Sequence, residues 1–211
     1  MNFEIDTKIS LNYFSTKIAE HGQDVQSLGW GSATSQQDRF RVLCEIGNFD
    51  NKSLLDVGCG FGDLYLFLKE QNILPKQYTG IDVNPQMIAT AKLRVPEATF
   101  RVEDILDDNL KERYDYAVAS GIFSLETPNW GIITAKIISK MYQLSRIGVG
   151  VNFLSSLTPG KKFVDMHYAH PSDIFNLVCP NLSTRIVLRH DYRPNDFTVY
   201  IYKPFAQEEL R

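Results

Sequence analysis

The feature that most constrains this chain is an apolar run that passes directly into closely spaced glycines and then into a helical pattern: Leu54-Leu55-Asp56-Val57-Gly58-Cys59-Gly60-Phe61-Gly62-Asp63-Leu64. Such a run reads as a buried strand, and glycine lets the chain after it turn sharply and bring its backbone against a ligand. Open α/β sheets bind ligands beyond the carboxyl ends of their strands, and Gly58 and Gly60 mark such a place. Asp56, just before them, can accept hydrogen bonds from an ammonium group or from the turn's own amides. The spacing is GxGxG. The dinucleotide fingerprint GxGxxG would want glycine where Asp63 stands, and a carboxylate there repels a pyrophosphate.

Short apolar runs alternate with helical patterns along the rest of the chain, which is the signature of a sheet wrapped by helices. Strands are expected at 53–57, 78–82, 99–102, 114–119, 148–153, 185–188 and 197–202. The last two are joined by 190–196, too short for a crossover helix, so they should pair as an antiparallel hairpin. The fold class expected is α/β: a doubly wound, mostly parallel seven-stranded sheet with an antiparallel terminal hairpin and helices on both faces. With 211 residues and 44% hydrophobic composition, one domain over 1–211 is expected, with N-terminal helices or a lid in 1–50 and a Rossmann-like core in 51–211.

Local signals place the helices. One covers about 6–20, with Leu11, Phe14 and Ile18 on one face and Gly22 as its stop. A second opens at Ser35, which has Asp38 at capping-box spacing and is followed by Phe40, Leu43 and Cys44. Asn84 caps a helix whose first residue is Pro85, with Pro96 past its end, and Thr127-Pro128 repeats the device. That last helix carries Ile133, Ile137, Met141 and Leu144 toward the sheet, and Gly148 follows it.

The strand ends carry acidic residues. Asp82 closes the second strand beside the glycine turn, where a carboxylate can accept both hydroxyls of a ribose; it can equally cap the helix at Asn84-Pro85. Asp104 follows the third strand and can take an adenine amino group. A ligand with adenine, ribose and an ammonium but no phosphate accounts for all three carboxylates, and a dinucleotide does not.

On these residues the run 53–121 resembles the class I S-adenosylmethionine (SAM) dependent methyltransferases: Leu-Leu-Asp-Val-Gly-Cys-Gly-Phe-Gly as the SAM loop, Gly-Ile-Asp-Val-Asn-Pro-Gln-Met-Ile as the acidic-loop motif and Val-Glu-Asp-Ile as the adenine loop. The resemblance implies SAM as cofactor and S-adenosyl-L-homocysteine (SAH) as product. It sets Asp56, Gly58, Cys59, Gly60 and Gly62 around the methionine part and Asp82 on the ribose. Val83 and Met87 would flank the adenine, Asp104 and Ile105 would close its edge, and Ser120 and Gly121 would lie nearest the methyl group. The tetrapeptide Ala119-Ser120-Gly121-Ile122 lacks the Asn/Asp-Pro-Pro-Tyr/Phe signature of enzymes that methylate exocyclic amines and amides. Beyond the core, Trp30-Gly31-Ser32 with Gln36, and the runs 188–192 and 197–200, resemble bacterial methyltransferase-like proteins of unassigned substrate.

The function implied is methyl transfer by direct displacement to an O, N, S or C nucleophile of a small molecule; a protein or RNA methyltransferase and a non-catalytic SAM-binding protein are the alternatives. His167 and Tyr168, in the long segment after the fifth strand, are the candidate catalytic residues on the acceptor side. His167 and His170 can instead anchor that loop or cap the helix at Pro171. His190-Asp191 can be a base with its orienting carboxylate or simply a turn at the hairpin mouth. Tyr13, Trp30 and Phe123 are candidate substrate or lid residues, the first two by fold analogy. The paired histidines lack a third ligand, so no metal is expected.

A formal net charge of -3 offers no extended cationic surface for nucleic acid. Cys44, Cys59 and Cys179 form neither a disulfide framework nor a CxxC pair, which points to a reducing compartment. The start of the chain lacks a basic, apolar leader and no stretch reaches the roughly 20 apolar residues that span a bilayer. A cytoplasmic protein with no membrane partner is expected, of an oligomeric state the sequence does not fix.

Overall fold

The computed structural model describes residues 4–29, 32–160 and 162–205. Two helices precede the sheet: α1 (Glu4–His21), followed by a 3-10 turn over Val25–Leu28, and α2 (Ala33–Cys44). The alternating part follows as β1 (Ser53–Val57), α3 (Asp63–Glu70), β2 (Gln77–Asp82), α4 (Pro85–Arg94), β3 (Thr99–Val102), β4 (Tyr114–Ala119), α5 (Trp130–Leu144) and β5 (Ser145–Leu154). The chain then runs through α6 (Pro171–Val178) into β6 (Ile186–Arg193) and β7 (Asp196–Tyr202).

The seven strands lie in the order β3-β2-β1-β4-β5-β7-β6. β1 to β5 are parallel, and β7 runs antiparallel to both β5 and β6. Strand order reverses between β1 and β4, the position where an open α/β sheet leaves a crevice. Alternate strand residues feed two separate cores, as the two-residue period of a strand requires. Leu55, Val57, Ala117, Ala119, Val149 and Val151 pack with Ile138 and Met141 of α5 and Ile174 of α6. Leu54, Tyr78, Tyr116 and Val118 pack with Leu43 of α2, Leu64 and Leu68 of α3 and Ile88 of α4.

Several local details differ from the sequence expectation. Ser32, not Ser35, caps α2: its hydroxyl accepts the Ser35 amide at 3.2 Å, which frees the Ser35 hydroxyl to accept from Arg39 at 2.6 Å. Asn129 rather than Thr127 precedes α5, and it makes no side-chain cap because Asp6 of α1 holds its amide. In α5 the buried stripe is Thr134, Ile138, Met141 and Leu144, while Ile133 and Ile137 sit on its flank beside the cavity described below. No turn intervenes at Gly148, since β5 begins at Ser145, the residue after the helix. β6 continues to Arg193, so 190–193 is strand and the hairpin turn is Pro194-Asn195.

α2 is riveted to the hairpin by charge. Arg39 pairs with Asp196 at 2.7 Å with both side chains nearly buried, and Arg193 reaches Asp38 at 2.9 Å.

Candidate active site

A cavity opens at the carboxyl ends of β1, β2 and β4, roofed by α1. Its floor is the glycine turn. Gly58, Gly60 and Gly62 adopt φ of 70°, 55° and 80°, in the left-handed region that favours glycine. At Gly58 space is short as well: an added Cβ would lie 2.1 Å from Ile122 Cγ2. The Gly58 and Cys59 amides both donate to the Ile81 carbonyl at 2.8 and 3.1 Å, which stitches the turn to β2.

Asp82 holds this floor together from the tip of β2. One of its oxygens accepts the Gly60 amide at 3.0 Å and the other the Asn84 amide at 2.8 Å. Asp82 is not the cap of α4: that is Asn84, whose Oδ1 accepts the Gln86 and Met87 amides at 2.9 and 3.3 Å. Burial raises the Asp82 carboxyl above its usual range, against the lowering effect of the amides of Asn84, Gly60 and Val83.

Asp56 lies deeper. It accepts a hydrogen bond from the Tyr78 hydroxyl rather than from the turn's amides. Burial pushes its carboxyl up to about 7, opposed by the Tyr78 bond and helped by the charges of Asp82 and Asp63. A buried carboxyl poised there ionises readily when a cation arrives.

Of the residues expected to hold a donor, Asp56, Gly58, Cys59, Gly60, Asp82, Val83, Met87, Asp104, Ile105, Ser120 and Gly121 line the cavity. Gly62 does not; it starts α3 from behind the turn. Met87 and Ile105 are buried and Asp104 is exposed, its Oδ1 accepting the Leu106 amide at 2.9 Å.

Four of the lining residues that the sequence reading did not name as site residues bear on the site's chemistry. Asn84 leaves its buried Nδ2 without a partner on the cavity wall. Asp6 is buried on an otherwise half-exposed α1. Trp130 and Thr134 come from the first turns of α5. A fifth missed residue, Asn152, acts from behind the wall: from β5 its amide donates to Ser120 Oγ at 2.9 Å and accepts the Gly121 amide at 2.9 Å. A lone amide inside the apolar run Gly148-Val149-Gly150-Val151-Asn152-Phe153 was the available signal for it.

The acceptor-side expectations are distributed differently. Phe123 lines the cavity and stacks on Phe153 with centroids 5.0 Å apart. His167 and Tyr168 are not part of the lining. His167 stacks on the lining residue Trp130 at 3.5 Å and bonds Glu126 through Nδ1 at 2.7 Å. Tyr168 uses its hydroxyl to accept the Phe163 amide at 3.2 Å. His170 caps α6 by accepting the Ser172 amide at 3.3 Å. Asp191 is paired with Arg189, and neither it nor His190 lines the cavity. Tyr13 also falls outside the lining, edge-on to Phe14, and Trp30 lies outside the described residues.

A doubly wound sheet with a terminal hairpin, and a glycine turn answered by carboxylates at successive strand ends, defines a class I, Rossmann-like methyltransferase. Comparison with known proteins agrees. A family model described as "Methyltransferase domain" matches residues 54–144. A relative from Mycobacterium tuberculosis, "Putative methyltransferase Rv1506c", is 34% identical over 160 residues, 73% of this chain and 95% of the relative. Magnesium protoporphyrin IX methyltransferase from Synechocystis PCC 6803, solved with bound SAM, shares the fold at TM-score 0.68 and 16% identity over 94% of this chain and 97% of that one. The chain belongs to the class I SAM-dependent methyltransferases.

Proposed function

We propose that the cavity binds SAM in the orientation laid out by the strand ends and that the chain methylates a small molecule. The Gly58–Gly60 turn faces the methionine part, with Asp56 for its ammonium. Asp82 takes the ribose, and Val83, Met87 and Ile105 enclose the adenine, with Asp104 at its edge. The orphan Asn84 Nδ2 supports this fit, because a buried amide without a partner beside Asp82 suits a ligand rich in acceptors. The donor, when bound, supplies an activated methyl group that a nucleophilic atom takes by direct displacement.

The chain's own contribution is positioning, worth up to roughly 7–11 kcal/mol in well-oriented systems. Asn152 fixes Ser120 and Gly121 where the two substrates meet. His167 and Glu126 brace Trp130, and Tyr168 fixes the loop that carries His167. A small acceptor fits a roofed cavity better than a protein or RNA surface does. The free thiols of Cys44, Cys59 and Cys179 suit a reducing, cytoplasmic setting, and no helix among the described residues is long and apolar enough to cross a membrane.

The observation that carries this reading is the Asp82 carboxylate, bonded to both the glycine turn and the start of α4. Calorimetric titration with SAM and SAH should give micromolar binding that falls about 100-fold in Asp82→Asn, a variant that keeps an oxygen for the Gly60 amide. A folded wild-type protein that binds neither ligand would overturn the proposal.

A further inference from the structure

The cavity wall also describes the acceptor. Among the described residues its charged side chains are Asp6, Asp56, Asp63, Asp82, Glu103 and Asp104, with no lysine, arginine or histidine. Three of these carboxylates are assigned above to the donor. The other three are already engaged: Asp6 by Asn129 at 2.9 and 3.0 Å, Asp63 by Arg94 at 2.7 Å, and Glu103 by Arg101 at 3.1 Å. An anionic acceptor would find no lysine, arginine or histidine among these lining side chains to receive it, and an ammonium would find no carboxylate unoccupied.

The wall not assigned to the donor is largely apolar, its uncharged polar side chains being Thr7, Ser10, Gln36, Thr127 and Thr134. Leu11 and Phe14 come from α1, and Phe123, Leu125 and Trp130 from the segment that leads into α5. One turn beyond Trp130 stands Thr134. It is fully buried, it lines the cavity, and its hydroxyl has no hydrogen-bond partner. Buried hydroxyls are almost always satisfied, and a helical threonine has a carbonyl one turn back as a ready partner. A hydroxyl left free on a cavity wall is a group awaiting a ligand.

We infer that the methyl acceptor is an uncharged, largely apolar small molecule, free of carboxylate and phosphate, whose one polar group is met by the Thr134 hydroxyl. This rests on the methyltransferase reading. It assigns a substrate class to the apolar half of the cavity and a specificity role to a residue that the donor does not need.

The test is calorimetry on the full chain, first with SAH and then, on the SAH-loaded protein, with 2-naphthol and 2-naphthoate as probes of equal ring size. The expected result is saturable binding of 2-naphthol, at least about tenfold tighter than 2-naphthoate. Thr134→Val should cost about tenfold in 2-naphthol affinity, Thr134→Ser should restore it, and SAH affinity should be unchanged in both. Wild-type protein that binds no SAH overturns the donor reading and this inference with it. With SAH bound, the inference alone falls if 2-naphthol does not bind, if 2-naphthoate binds as tightly, or if Thr134→Val weakens SAH instead of 2-naphthol.

Discussion

The cavity has two walls of different construction. The wall proposed for the donor is made of strand ends and the turn between β1 and α3, and its polar groups are fixed by neighbours a few residues away or on the adjacent strand: Gly60 to Asp82, Gly58 to Ile81, Asn84 to Met87. The opposite wall is α1 together with the segment before α5. Among its described residues α1 has a single buried one, Asp6, which reaches across 123 positions of sequence to Asn129. A wall built into a sheet keeps its shape before any ligand arrives, whereas a helix with few buried side chains can open.

The comparison breaks most directly at Gly58. Alanine there meets both a φ of 70° and Ile122 Cγ2 at 2.1 Å, so either the turn or a cavity-lining side chain must move. Gly58→Ala should lower SAH affinity about 100-fold or more, close to 3 kcal/mol, and cost about 2 kcal/mol of stability. Calorimetry and a urea melt read both effects. An affinity within threefold of wild type would show that the donor wall is not the rigid element.

Asp56 gives the next largest effect and a pH signature. Its carboxyl rises on folding from 3.8 to about 7, chiefly through burial. A raised carboxyl contributes stability that is full below the unfolded value and lost as pH rises through the folded one. Ligand-free Asp56→Asn, which carries no such charge, should therefore gain on wild type as pH goes from about 4 to about 8, by a few kcal/mol. In the same window SAH affinity should rise with pH for wild type, as the ammonium meets an ionised Asp56, and stay flat for the variant. Parallel stability curves for the two proteins would place the buried charge elsewhere.

The difference between the walls also explains what the sequence disclosed. The strand-end wall was legible because its residues sit at strand ends in fixed register with one another: Gly58 follows β1, Asp82 closes β2 and Asp104 lies just past β3. The strands β1, β3 and β4 were legible as well, being short stretches rich in apolar and aromatic residues bounded by turn residues. The other wall was not. Nothing near Asp6 marks it as buried, since its partners Asn129 and Thr127 lie more than a hundred residues on. The expected core face of α5 fell on Ile133 and Ile137 because an apolar pattern passes over Thr134, the position that is in fact buried. His167 and Tyr168 were chosen because their loop follows a strand at the right end of the sheet, a rule that finds the neighbourhood but cannot tell a wall residue from the one bracing it.

The smallest effect is the one that separates the walls. In Asp6 burial works to raise the carboxyl, but hydrogen bonds from Asn129 and Thr127 outweigh it and leave the group below its usual value. Its fastening is thus in place above the ordinary carboxylate range and is lost as pH falls below about 4. Asp6→Ala removes that fastening at about 1–2 kcal/mol. Because α1 is peripheral, the loss should appear as local opening: roughly tenfold faster proteolysis within α1, a global melting midpoint shifted by only a few degrees, and SAH affinity within about threefold of wild type. Asp6→Glu, with the same charge on a longer arm, should recover part of the protection. If Asp6→Ala instead cut SAH affinity as deeply as Gly58→Ala, the roof and the floor would form a single binding unit. α1 would then be a part of the donor pocket that closes with it, and acceptor entry would need another route than the lifting of this helix.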